Sequence, residues 1–266
     1  MLQKIIKIGG NVVDNPELLE KFIIDFAAMD GPKILVHGGG VMASQLQKEL
    51  GRQPVMIEGR RVTDEETLKV VTMVYAGWCS KSIVALLQKH GCNAIGLCGA
   101  DANLIEATKR PAGRIDYGFV GDVDPSMINA GFLLSLMEQG ITPVISAITH
   151  DKAGSLLNTN ADTIASSVAV AMSHAEAAKT EDGKPYVSLI YCFEKDGVLY
   201  DKDDDSSLIR EITPASYAAL KAEGRVAAGM IPKLDNSFRA LDSGVSRVIV
   251  KHARNLLNGI GTTLCL

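Results

Sequence analysis

The chain predicts an α/β fold: a mainly parallel sheet covered on both faces by helices. Three observations carry that expectation. Short, nearly all-apolar runs such as Lys33–Val36 and Ile141–Ile148 alternate with longer segments whose apolar residues recur at helical spacing. A strand apolar at every position is buried on both sides, which a helix-covered parallel sheet provides. Two glycine clusters, Gly9-Gly10 and Gly38-Gly39-Gly40, each follow such a strand. The chain has 266 residues and 47% hydrophobic content, enough for one large domain or two lobes sharing a sheet.

The elements follow in order. Lys4–Ile8 reads as a strand ended by Gly9-Gly10. Asn15-Pro16-Glu17 reads as a helix start, with Asn as the cap and Pro in the first turn, and Leu18, Leu19, Phe22, Ile23 and Phe26 form its apolar stripe. Gly31-Pro32 breaks that helix, Lys33–Val36 is the next strand, and Val41–Leu50 is a helix opening directly after the three glycines. Thr63-Asp64-Glu65-Glu66 reads as a capping box before a helix that, if unbroken to His90, spans about 40 Å. On it Leu68, Val71, Tyr75 and Trp78 share one stripe. Ala94–Leu97 is a strand, Cys98–Asp122 is irregular, and Asp124-Pro125-Ser126 starts a helix. Ile141–Ile148 is the most apolar strand, Asp162–Ser173 a small-residue helix, Tyr186–Cys192 a strand, Thr213-Pro214 a helix start and Arg247–Lys251 a late strand. Glu181-Asp182-Gly183-Lys184 reads as a turn at the weakest internal boundary.

Composition removes several functions. A net charge of −4 argues against nucleic-acid binding, which needs excess Lys and Arg, and 5% aromatics offer little surface for stacking bases. No apolar run reaches the ~18 residues of a membrane span. Met1–Ile8 carries two lysines and is no signal peptide. The five cysteines, Cys79, Cys92, Cys98, Cys192 and Cys265, form no CxxC pair and fit reduced, buried thiols in the cytoplasm. The five histidines show no metal-ligand spacing.

Glycines at the carboxyl ends of parallel strands let backbone N–H groups approach an anion, and helix N-termini favour one. Neither cluster is a Walker A loop or a GxGxxG fingerprint. Lys7 sits inside an apolar strand: its ammonium either meets an anion or snorkels from an edge. Lys233 follows a turn into a helix and, taken singly, is a surface lysine. In Leu157-Asn158-Thr159-Asn160-Ala161-Asp162 any polar residue could cap the next helix, while a carboxylate there could hold two ammonium groups. Arg61 either grips a substrate carboxylate with its planar fork or is one of a solvated basic pair with Arg60.

Taken together, Lys7-Ile8-Gly9-Gly10, Val36-His37-Gly38-Gly39-Gly40, Arg61-Val62-Thr63, Asn158-Thr159-Asn160-Ala161-Asp162 and Gly229-Met230-Ile231-Pro232-Lys233 resemble the amino acid kinase family, in order and from Ile5 to Thr262. The resemblance implies a three-layer α/β/α sandwich of the carbamate kinase-like type. It implies two lobes on one continuous sheet: residues 1–175 for the acylated amino acid and dimerisation, and 176–266 for ATP. The implied reaction moves a phosphoryl group from ATP to the γ-carboxylate of an N-acylated L-glutamate, foremost N-acetyl-L-glutamate, in arginine biosynthesis. By position, Lys7 and Lys233 would stabilise the migrating group, Asp162 would orient both, and the N–H groups of Gly10 and Gly39 would complete the cradle. Gly39, Gly40, Arg61 and Asn158 would hold the substrate. Lys7, Gly9, Gly10, Glu194, Gly197, Gly229, Met230 and Lys233 would hold the nucleotide, with Mg²⁺ bound mainly through ATP phosphates and no side-chain metal ligand.

Two departures matter. Members carry Thr-Asp or Ser-Asp where this chain has Cys192-Phe193-Glu194-Lys195-Asp196-Gly197, so Glu194 stands at the Asp position. The chain also starts at its first strand, without the N-terminal helix that joins dimers into hexamers in arginine-inhibited members. The expectation is therefore a homodimer without arginine feedback; the Asp64–His90 helix is either its interface or a helix packed in the core. N-succinyl-L-glutamate as substrate, and a catalytically silent amino-acid sensor on the same fold, are the alternatives; retention of Lys7, Asp162 and Lys233 argues against the sensor.

Overall fold

The computed structural model describes residues 2–180, 186–201, 203–226 and 230–266. The expected turn at Glu181–Lys184 and the expected site residue Gly229 lie outside them. The strands are β1 (Gln3–Ile8), β2 (Lys33–His37), β3 (Met56–Ile57), β4 (Arg60–Arg61), β5 (Ala94–Leu97), β6 (Thr108–Lys109), β7 (Gly121–Asp122), β8 (Thr142–Ser146), β9 (Ile148–His150), β10 (Leu156–Asn158), β11 (Val187–Phe193), β12 (Glu211–Ile212), β13 (Arg247–His252) and β14 (Thr262–Leu264). Eight of them form one sheet in the order β12-β14-β13-β11-β1-β2-β8-β5. Every pairing in it is parallel except β13 with β14.

The helices are α1 (Gly10–Val13), α2 (Pro16–Ala28), α3 (Gly40–Glu49), α4 (Glu65–Thr72), α5 (Ser80–Lys89), α6 (Ala130–Glu138), α7 (Ala161–Ala177), α8 (Pro214–Ala222) and α9 (Ile231–Asp242). The strand order assigns them to layers. Crossovers from β1 to β2 and from β2 to β5 step one way along the sheet; those from β5 to β8, β8 to β11 and β11 to β13 step the other way. Right-handed crossovers then put α2 and α5 on one face, and α6, α7 and α9 on the other. This is the three-layer sandwich. Small residues let α7 lie close to β1 and β11, and Ala165 and Ala169 are fully buried there.

The long helix departs from expectation in an instructive way. Residues Glu65–Lys89 form one helical run of 25 residues, apolar enough by length and composition to cross a membrane. Instead its apolar face, including Val71, Ile83 and Leu87, is in the core. Its middle, Met73–Cys79, is a π-helix, which widens the turn. Tyr75 and Cys79 therefore face inward while Trp78, expected on the same stripe, is 66% exposed.

Two expected helix starts also shift. The cap of α4 is Asp64, which accepts from the Thr67 N–H, and Thr63 turns its hydroxyl toward the Arg61 carbonyl instead. Asp124 caps only a 3-10 turn, Pro125–Met127, and α6 starts at Asn129, whose side chain accepts from Phe132. The caps at Asn15 and Thr213 stand as read.

Candidate active site

Strands β1, β2 and β11 end at the same edge, with Ile8 opposite His37 and Cys192. A cavity of about 540 Å³ opens beyond that edge. Helices α1, α3 and α7 begin at it, so their N-terminal partial positive charge points at one volume.

Lys7, Asp162 and Lys233 meet at its floor. The Lys7 ammonium lies 2.6 Å from one Asp162 oxygen, and the Lys233 ammonium 3.8 Å from the other. Asp162 sits in the first turn of α7, whose cap is Asn160: its Oδ1 accepts from the N–H groups of Asp162 and Thr163. Among the polar residues of that stretch, Asn160 is the one that caps the helix. Burial pushes the Asp162 carboxyl up, but the two lysines outweigh this and leave it below the usual range. Burial lowers the Lys233 ammonium, only partly opposed by Asp162. Two cations against one carboxylate leave a surplus positive charge inside the cavity, which suits phosphate.

Lys233 also lies over two rings, 4.9 Å from the centre of Phe193 and 5.6 Å from that of Tyr191. Sequence reasoning overlooked Phe193, although it is the residue that replaces the family's hydroxyl. Glu194 reaches the cavity and accepts a 2.6 Å hydrogen bond from Asn11, another residue not foreseen.

One of the glycines, Gly39, is there for space. Gly39 has φ +156°, and a Cβ would stand 2.9 Å from both Cys79 Sγ and Tyr75. The π turn is what brings those two side chains under the loop. Gly9, Gly10, Gly39 and Gly40 all line the cavity. Gly9 N–H is spent on the Cys192 carbonyl, at 3.0 Å.

The opposite wall carries Arg61 and Asn158. Arg61 is 7% exposed, so the solvated-pair reading fails for it; Arg60 remains exposed. Its guanidinium donates to the Gly40 carbonyl at 2.8 Å, to Ser44 Oγ at 2.7 Å and to Gln47 Oε1. Asn158 Nδ2 donates to Thr63 Oγ1 at 3.0 Å. The irregular segment, unplaceable from sequence, packs here: Thr63 N–H donates to the Tyr117 carbonyl, the Thr63 carbonyl accepts from Phe119 N–H, and Asn158 N–H donates to the Phe119 carbonyl. Val120 thereby reaches the cavity.

Gly197 and Met230 line a second hollow of about 120 Å³, with Val198, Leu199, Val226, Lys195 and Arg225. Phe193 borders both spaces. A Cβ on Gly197 would meet Thr262 Oγ1 at 2.5 Å, so packing demands glycine there.

Acid–base and thiol chemistry find no support. Burial drops the His37 imidazole to about 4, so it is neutral at pH 7. Burial raises the Cys79 thiol to about 11 and that of Cys192 to about 12. The five cysteines are free thiols. Among the described residues no group of three or more His, Cys, Asp or Glu could hold a metal ion.

Comparison with known proteins agrees with this fold. The model of the amino acid kinase family matches residues 3–252. The acetylglutamate kinase of Phocaeicola vulgatus is 52% identical over 260 residues, covering 98% of this chain and 97% of its own. That of Cytophaga hutchinsonii is 53% identical over 254 residues, covering 95% and 92%. Among solved structures, N-acetylglutamate synthase from Neisseria gonorrhoeae, complexed with coenzyme A and N-acetyl-glutamate, superposes with a TM-score of 0.80 at 22% identity. It covers all of this chain and 59% of that one, and shows the fold.

Proposed function

The chain belongs to the amino acid kinase family, and we propose that it transfers the γ-phosphoryl group of ATP to the γ-carboxylate of N-acetyl-L-glutamate, a step of arginine biosynthesis. The observation that carries this reading is the pair of ammonium groups, from opposite ends of the chain, on the two oxygens of Asp162.

The chemistry asks for positioning and positive charge. A carboxylate oxygen forms the new bond to the γ-phosphorus while the bond to the β–γ bridging oxygen breaks, and ADP leaves with that electron pair. The attacking carboxylate is already ionised at pH 7, so no general base is needed, in keeping with a site without a titrating histidine. Lys7 and Lys233 neutralise charge on the migrating group, and Asp162 keeps the two ammonium groups from repelling each other apart. Gly10 and Gly39 shape the cradle between them. Gly40, Arg61 and Asn158 hold the amino acid, with the Arg61 fork on a carboxylate. Gly9, Glu194, Gly197, Gly229 and Met230 serve the nucleotide. The cavity fits ATP phosphates through its surplus cation and its helix N-termini. Mg²⁺ held on those phosphates would add charge neutralisation, with no side chain of the chain as its ligand.

In this reading residues 1–175 serve the amino acid and 176–266 the nucleotide. The exposed Trp78 and Met73 on the long helix mark the contact with a second copy in a cytoplasmic homodimer. The relatives' shared name and the retained lysines favour this reaction over an N-succinyl substrate or a silent sensor. ATP-dependent hydroxamate formation with N-acetyl-L-glutamate tests the reaction: absence of acyl phosphate with any N-acylglutamate overturns it. Sedimentation tests the assembly.

A further inference from the structure

Arg61 is a buried cation without a carboxylate. Among the described residues it has no ion pair, and its hydrogen bonds go to neutral oxygens, those of Gly40, Ser44 and Gln47, with the Tyr75 hydroxyl also beside it. Gln47 is 2% exposed and sits on α3, one turn beyond Ser44. Its carboxamide is held at both ends: Oε1 accepts from Arg61, and Nε2 donates to Thr67 Oγ1 at 3.0 Å. A guanidinium only donates, so the oxygen must face it and the amide has one orientation. Thr67 is itself fixed, because its backbone N–H is the one Asp64 caps at 2.7 Å. Ser44 is fixed too, its hydroxyl donating to the Gly40 carbonyl at 2.9 Å.

Taking a charge out of water is expensive unless an opposite charge or hydrogen bonds compensate. A carboxylate at position 47 would compensate it fully, but would also cancel the field that attracts an anionic ligand. Neutral acceptors orient the fork and leave its charge uncancelled. The guanidinium carries five N–H donors against four neutral oxygens beside it, so a donor remains for a ligand. The fork also borders the cavity, where such a ligand would sit.

We propose that Gln47, locked by Thr67 and seconded by Ser44, is a positioning residue for the proposed reaction: it holds Arg61 in a pre-aimed, uncompensated state that the substrate carboxylate completes. This rests on the reading that Arg61 binds that carboxylate. Gln47 touches no substrate, so its effect should fall on the affinity for one substrate only.

The experiment is steady-state kinetics and thermal unfolding of the full chain with Gln47→Leu, Gln47→Glu and Arg61→Lys. Gln47→Leu is expected to raise KM for N-acetyl-L-glutamate about tenfold, with kcat and KM for ATP changed less than about threefold. Gln47→Glu is expected to raise the same KM at least as much while Tm holds or rises, because the new ion pair stabilises the fold and competes with the substrate. A purely structural glutamine would give the opposite: lower Tm, with kcat and both KM values disturbed together. If Gln47→Leu does not fold, Gln47→Glu decides: an unchanged KM for N-acetyl-L-glutamate overturns the proposal. If Arg61→Lys raises that KM but both Gln47 variants leave it unchanged, the positioning role is wrong and the carboxylate reading stands. If Arg61→Lys leaves it unchanged, the carboxylate reading falls first.

Discussion

The two sides of the cleft are built by different means. On the Arg61 side, recognition groups are buried and tied to one another: Arg61 to Gln47, Gln47 to Thr67, Thr63 to Asn158, and Thr149 to Thr159. On the Met230 side the hollow is small and lined largely by Phe193, Val198, Leu199, Val226 and Met230, with Lys195 and Arg225 exposed. The difference teaches what each proposed ligand asks of the chain. A small acyl amino acid presents charge and amide groups that must be matched atom by atom, and every buried polar group in the match needs a partner of its own. A nucleotide base asks for apolar contact, its phosphates being met at the lysines. Loss of one residue should therefore be sharp and substrate-specific on the first side, and shallow on the second.

Where the sides meet, at Lys7, Asp162 and Lys233, the expected effect is largest. Lys233→Ala should lower kcat by roughly 10³-fold while both KM values move only a few-fold, as for a contact made in the transition state. Near-normal turnover would remove Lys233 from the mechanism. On the polar side, Asn158→Ala leaves the Thr63 hydroxyl without its donor. It should raise KM for N-acetyl-L-glutamate by about 10- to 100-fold, and an equal rise for ATP would erase the contrast between the sides. The lowered pKa of Lys233 gives a pH test. Its ammonium, to which the proposed mechanism assigns the migrating group, is lost as pH rises, and at a lower pH than for an ordinary lysine. Turnover should thus fall on the alkaline side, and Lys233→Arg should remove that limb. Stability carries the opposite sign: between the folded and unfolded pKa values the unfolded chain binds more protons, so this group's contribution rises with pH. Unfolding midpoints measured across the same range check the second half. The smallest effect belongs to the apolar side: Met230→Ala should raise KM for ATP by about three- to tenfold and leave that for N-acetyl-L-glutamate alone. A change in kcat of the Lys233 size would mean that Met230 acts through the neighbouring lysine and not through the base.

Much of the site was legible before any coordinates because its chemistry lies at element boundaries. Lys7 precedes a strand-ending glycine pair, Gly39 and Gly40 open α3, and Asp162 and Lys233 stand in the first turns of α7 and α9. Boundaries leave local marks, since glycine, proline and capping residues act on the backbone within a few positions. Gln47, Ser44, Thr67 and Phe193 leave none. Each sits inside or at the end of an element that its neighbours explain fully, and Gln47 on α3 reads as one more polar helix residue. The Thr63 capping box failed because the adjacent Asp64 takes the cap, while the Thr63 hydroxyl donates to the Arg61 carbonyl and accepts from Asn158, distant in sequence and adjacent in space.

From its residues alone this chain determined the alternation of strands and helices, the parallel sheet, the strand-end cradle and the types of charge that surround it. These depend on backbone preference and hydrophobic period, which act over a few residues. Only the tertiary structure decided that a π turn lifts Tyr75 and Cys79 under Gly39 and leaves Trp78 outside, that Arg61 is buried rather than solvated, and that its partners are neutral. A side chain's surroundings are set by how whole elements pack against one another, and no short stretch of sequence contains that sum.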